Sequence, residues 1–412
     1  MNNPQLSSVV QERWQREVDE VTHPDVNKEL PVGVRIFALL VLLYAIITTF
    51  GTFHTFFRWV FSNPTIDTSQ GMSTTICQLV SVVSFALIAP CMVALSALLL
   101  LEKRRHAARF IYIIYALLGA NFICHIMLTG IHKAIVLYLF GFAILIALQI
   151  YLDPTLRCER ARERAEQDER WREEQAQGTL GFDKTGKGAI EINFFNLFWM
   201  FVFCSFVGLV AEEIYHFIFV VPGEWQDRAG LLIGPFSPIY GFGAVIMSVA
   251  LNRLHKCPTI VIFLFAAVIG GVFEAFVGYF MQYAFGAVAW DYSNEVLPLF
   301  GGKTCAKFML MWGLMGAVWL KIVMPSVVKI INKIPWNFRY MLTLVATVLM
   351  LTNAILTLQA LDCWYERVSI GEEAANKSNL TKFYATNFGD DYMQNRFESM
   401  TIIPDEAVRS DR

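Results

Sequence analysis

The sequence predicts an all-α fold: a polytopic integral membrane helix bundle of about nine transmembrane helices, N-terminus inside and C-terminus outside. Three observations predict it. Of 412 residues, 56% are apolar and 17% charged, and mean hydropathy is +0.48, whereas soluble domains carry about 25% charged residues. The charges are also clustered. Residues 1–35 hold 10, residues 153–191 hold 18 and residues 362–412 hold 16, which leaves 24 for the other 287 positions. Finally, Lys and Arg are biased to alternate connectors, 22 on one side against 5 on the other, and the basic side of a membrane protein is the cytoplasmic one.

Each element follows from this pattern. Residues 1–35 read as a polar cytoplasmic segment, with no cleavable signal peptide apparent. A span needs about 20 mostly apolar residues in helix. The stretches 36–57, 76–101, 109–131 and 133–152 meet that need and form a front half, 36–152. Residues 153–193 are a charged cytoplasmic linker, whose 155–177 stretch pairs opposite charges at helical spacing. A rear core, 194–325, holds the spans 194–220, 231–251, 259–285 and 305–324. A last transmembrane segment, 326–361, carries the span 338–361. The tail, 362–412, is extracytoplasmic and polar, and its seven aromatics predict packing on the outer face of the bundle.

Several classes are excluded. A net charge of −2 offers no attraction to nucleic acid. Eight scattered cysteines without a CxxC pair suggest neither a disulfide framework nor a zinc site, and no metal site is expected. Gly181 to Gly188 mimics a phosphate loop, but Gly188 stands where Ser or Thr must hold magnesium. Gly302-Lys303-Thr304 lacks the upstream glycine. The chain therefore carries no cofactor of its own, and ATP would act only through a separate partner.

The chemistry falls in the rear core. The front spans hold no acidic residue, and His54 and His125 near helix ends read as packed or interfacial, so the front half reads as a scaffold. Glu212, Glu213 and Glu274 lie inside spans, where a carboxylate is costly unless paired, protonated or wetted. Such a group marks a function or a polar clamp between helices. Gly208, Glu212 and Tyr215 share one helical face, and so do Gly270, Glu274 and Gly278. The sixth span is irregular: residues 230–243 contain two prolines and four glycines. A break is expected from Pro235 to Tyr240, of the kind that presents backbone groups to a substrate. Trp225-Gln226-Asp227-Arg228 precedes it. Trp290-Asp291-Tyr292-Ser293 and Gly301-Gly302-Lys303-Thr304-Cys305 precede the eighth span. Arg228 and Lys303 could bind an anionic group or pair with the carboxylates. The expected binding set is Glu212, Tyr215, Arg228, Pro235, Tyr240, Glu274, Trp290, Asp291, Tyr292 and Lys303, on an outward-facing cavity.

These stretches carry a resemblance. Gly208…Glu212…Tyr215, then DRAGLLIGPFSPIYGFG (227–243), Glu274, WDYS (290–293) and GKTC (302–305) resemble the bacterial ABC-transporter type IV, or CmpB-like, permease family over 194–325. The family often has Trp where Leu209 stands and Gly-Arg where Gly302-Lys303 stands, and Lys lacks the planar fork of Arg. The resemblance implies a multi-pass permease-like component of a bacterial cytoplasmic membrane. Its partners would be membrane lipids, a separate ATPase on the 252–258 and 325–337 connectors, and a second copy if it forms a homo-oligomer. Two other readings fit the residues. One is a membrane-embedded enzyme on lipid or envelope substrates, with Glu212, Glu274 or Asp291 as acid or base. The other is a non-catalytic assembly factor whose polar groups lock helices.

Overall fold

The computed structural model describes residues 32–61, 72–152, 161–183 and 186–409. The cytoplasmic segment expected over 1–35 thus lies outside the described residues except for its last four, and so do linker residues 153–160 and the end of the tail. The described residues are mostly helical with almost no sheet, as expected of a membrane helix bundle. The chain divides into two compact units, one of residues 1–128 and 132–164, the other of 129–131 and 165–412.

The first unit contains α1 (Val32–Phe61), α2 (Met72–Leu100), α3 (Arg104–Thr129) and α4 (Ile135–Leu152). Their core gathers Ala38, Leu95, Leu99, Ala107, Ile111, Ile114, Leu145 and Leu152. One buried polar knot sits inside: the Asn121 amide donates to the Ser81 carbonyl and the Ser84 hydroxyl, and its oxygen accepts from the Tyr138 hydroxyl at 2.6 Å. Such bonds replace water for polar groups within lipid. His125 packs between the rings of His132 and Tyr138.

The second unit begins in α5, Ala161–Ala176, which lies within the charged linker. Next comes α6, Phe194–Tyr215, capped by the Asn193 side chain and prolonged by a wide turn to Val220. It is followed by α7 (Pro238–Leu251), α8 (Thr259–Phe285), α9 (Ala306–Val318) and α10 (Met324–Ile331), the last two joined through a wide turn over Trp319–Val323. A long helix, α11, runs from Trp336 to Ile370. Three short helices close the chain: α12 (Glu372–Ala375), α13 (Asn379–Asn387) and α14 (Asp390–Arg396). The core is built from Met200, Met247, Leu251, Ile262, Ala266, Trp312, Leu320, Met324 and Val328. Helices α8 and α9 approach closely because small residues line their seam. A Cβ on Gly270 would fall 2.4 Å from the Trp312 Cβ, and one on Gly316 would fall 2.3 Å from the Ala266 Cβ.

All nine expected spans are helical, but two are short. Among the described residues seven helices are long and apolar enough to cross a membrane, whereas Ile135–Gln149 and Pro238–Leu254 are shorter apolar helices. Three boundaries also differ from the hydropathy pattern. The sixth span contains no helix before Pro238, so 231–237 is not half of a broken helix but irregular backbone, and Tyr240 stands in the first turn of α7. The eighth continues to Ile331, so the connector expected over 325–337 shrinks to 332–335. The last continues to Ile370 and stops only at Gly371, whose φ of 86° lies in the left-handed region.

The linker folds onto one end of this unit. Asn252 accepts the backbone N–H groups of Ala189 and Ile190 and donates to the Ile190 carbonyl. Asn332 donates to the Leu180 carbonyl, while Gln175 donates to the carbonyls of Asn332 and Ile334 at 2.7 Å. The Gly181–Gly188 stretch is part of this cover. It is a turn closed by pairing of Phe182 with Ile190 and by the Gly188 N–H donating to Asp183, not a phosphate loop.

Candidate functional site

The opposite end of this unit carries the site, built from two irregular segments. The first is 221–237. Its level is fixed by the Ser237 N–H, which donates to the Ser205 carbonyl at 2.9 Å. Ser205 lies near the middle of α6 and its prolongation, so the whole segment runs beside the upper half of a membrane-spanning helix. Irregular backbone at that depth persists only where protein or a water-filled cavity satisfies it. Here protein does so. The Leu232 N–H donates to the Thr357 hydroxyl at 2.9 Å. Asn353 accepts from the Ile233 N–H at 3.1 Å and donates back to the Ile233 carbonyl at 2.7 Å. Arg396 donates to the carbonyls of Leu231 and Gly234 and holds the Asp227 carboxylate at 2.7 Å.

The second segment is 286–305. Gly286 ends α8 in the left-handed conformation, and the chain then turns back. The hydroxyls of Thr304 and Tyr292 donate to the Glu274 carboxylate at 2.7 and 3.3 Å. Glu274 lies eleven residues before the end of α8, a rise of about 16 Å. The stretch read as an outer connector therefore re-enters the bundle.

Between the two segments the predicted carboxylates find partners. Glu212 accepts from Arg228 at 2.9 Å, and Arg228 also donates to Gln226. Gly208 makes room for Tyr240, since a Cβ there would stand 2.3 Å from the Tyr240 Cβ. The Tyr240 hydroxyl thereby faces Glu212, with Arg228 and Tyr292 as its next charged or titratable neighbours. Tyr292 in turn lies between Glu274 and Glu212 and stacks on Phe308 at 4.3 Å. Glu274 is 6% exposed, and its hydrogen-bonding neighbours are Thr304, Tyr292 and the Trp312 indole, all uncharged. Five residues from the expected set thus converge: Glu212, Arg228, Tyr240, Glu274 and Tyr292. Glu213 points away from them, toward the Arg228 backbone, Asp227 and Arg396.

The other expected residues stand apart. Lys303 is buried, its stem lying against Gly278, and its nearest carboxylates are Asp291 and Glu406, neither within ion-pair distance. Trp290 donates from its indole to the Lys303 carbonyl at 3.0 Å. Asp291 is exposed and bonded to the hydroxyl and N–H of Ser293 at 2.6 and 2.9 Å, which holds its carboxyl below the usual range. Tyr215 has its ring on Phe219 and makes no hydrogen bond to the cluster among the described residues. Pro235 is exposed. Asn353, Thr357 and Arg396 were missing from the expected set. The first two were signalled only as polar residues one helical turn apart in a long apolar run.

Fold and site together define a multi-span helical membrane protein with a buried polar cluster between two re-entrant segments. Residues 199–358 match the model of the family described as "Putative ABC-transporter type IV", so this segment is similar to that family. The match takes in α11 as far as Leu358, and with it the side chains that hold 232 and 233. No curated protein and no solved structure matches the chain.

Proposed function

We propose that this chain is the permease-like component of a membrane transporter, with its polar cluster opening at the end that carries the tail and with that end outside. The observation that carries the reading is Glu274: a buried carboxylate at mid-span whose neighbours are all neutral donors. Such a group can take up a cation, a proton or an amine. Glu212 is already offset by Arg228 and serves to hold that arginine and Tyr240 in place. Lys303 would meet an acidic group near the mouth. A separate ATPase would have to dock at the linker end, on the surface made by 179–183 and 186–191 together with Lys256 and Lys321, because those stretches already cover part of the connectors.

The hydrogen bonds of Glu274 also suit a mere helix lock, and Glu274→Gln separates the two. Gln keeps the shape and removes the charge. Transport predicts loss of complementation in a strain lacking the gene, with little change in thermal unfolding of the purified protein. A lock predicts the reverse, complementation kept and thermal unfolding shifted down. Orientation is tested separately with a membrane-impermeant maleimide on intact cells. Ser293→Cys, on an exposed turn, should be labelled, whereas Lys256→Cys should react only after permeabilisation. The opposite pattern would place the cluster's mouth inside.

A further inference from the structure

The hairpin between the two arms of the re-entrant 286–305 segment carries apolar side chains that stay exposed among the described residues. Pro298–Leu299 pairs with Thr304–Cys305. Around that pairing Val296 is 75% exposed, Leu297 68%, Leu299 41% and Phe300 50%. Two of these residues are also held in an unfavourable backbone. Leu297 and Phe300 have φ of 53° and 50°, and among the described residues Glu102 is the only other non-glycine with positive φ. A left-handed backbone conformation is disfavoured at a residue with a side chain.

Where they point follows from the contacts of the hairpin. The Tyr279 hydroxyl donates to the Phe300 carbonyl at 2.9 Å. Tyr279 lies twenty residues into α8, about 30 Å along its axis, which matches the thickness of the hydrocarbon layer. At the base, the Leu297 carbonyl accepts from the Ala306 N–H, at the head of the face on which Leu310 and Leu314 are exposed, 57% and 60%. Those leucines belong to a helix long and apolar enough to span, so that face meets lipid. The hairpin's apolar side chains stand at the head of that face. An ion pair between Glu295 and Lys307 at 3.3 Å flanks the same base, as polar groups do at a membrane interface.

We infer that the hairpin Val296–Phe300 is seated in the lipid leaflet at the tail end of the bundle, and that its partner is the lipid itself. The other arm of the same hairpin delivers Thr304 to Glu274. The lipid-seated arm and the buried cluster are thus two sides of one small element, and lipid packing bears directly on the geometry around Glu274.

The test uses the full chain reconstituted in vesicles of phosphatidylcholine and phosphatidylglycerol, one fraction of the lipid bearing a photoreactive group on its acyl chain. After illumination, the peptide containing 296–300 should carry lipid adducts, while the tail peptide containing Leu380 and Phe383, also exposed, should carry none. Adducts on neither peptide, or equally on both, overturn the inference. A second measurement works on variants. A nitroxide on Leu297→Cys or Phe300→Cys should collide more with oxygen than with a water-soluble nickel chelate, and one on Leu380→Cys should do the opposite. Preference for nickel at 297 and 300 means a loop in water. Access by neither probe means a protein partner or a second copy covers it. Either result defeats the lipid assignment.

Discussion

Arg409→Ala is expected to destabilise the protein by about 3–5 kcal/mol, because it leaves a buried aspartate without its cation. Arg409 donates to Asp362 at 2.8 Å, and the two side chains are 2% and 4% exposed. The guanidinium also lies over the Tyr365 ring, 4.6 Å from its centre. The pair ties the tail to α11 one residue past its apolar span of 338–361. Removing one partner costs more than removing both, since the loss comes from the charge left behind. The double variant Asp362→Leu, Arg409→Met should therefore be more stable than Arg409→Ala. Unfolding in detergent, followed by tryptophan fluorescence, measures both. A single variant within about 0.5 kcal/mol of the parent, the size of an ordinary surface change, would mean that the pair contributes nothing.

What was legible in the sequence was whatever depends on composition along one segment. Long apolar runs separated by charge clusters gave the helices. Carboxylates inside those runs gave Glu212 and Glu274, because lipid makes a charge conspicuous. The glycines opposite Tyr240 and Trp312 were legible through spacing alone. Helix ends were not, for a physical reason: hydropathy records where lipid ends, whereas a helix continues as long as its backbone is satisfied. Thus α11 runs on through Asp362 and Arg367, both buried under the tail, Arg367 held by Asp390 at 2.6 Å. Nor could the sequence show that 286–305 turns back into the bundle. Its polar content reads as an outer loop, and only the pairing of Thr304 with Glu274 reveals the depth. The partners of the other irregular segment are remote in sequence: Asn353 and Thr357 lie 120 and 125 residues from the groups they bind. No local pattern encodes that distance.

The same remoteness makes Arg396 the most informative position in the tail. Arg396→Ala should cost about 2–3 kcal/mol, the range for hydrogen bonds to a charged group, with part of the pair open to water. Its guanidinium bridges the Leu231 carbonyl, the Gly234 carbonyl and the Asp227 carboxylate. The side chains of Arg396 and Asp227 are 17% and 32% exposed, so water can replace part of what is lost. Lysine keeps the charge but cannot span three acceptors in one plane, so Arg396→Lys should recover less than half of the loss. The effect should be local before it is global. Amide exchange should rise over 228–236, where the backbone depends on this side chain, while the amides of α8 keep their protection. Arg228 lies in that stretch, so loosening it also frees the Glu212 pair and exposes the cluster. A uniform rise in exchange across both segments would show instead that Arg396 supports the bundle as a whole and has no particular hold on the irregular segment.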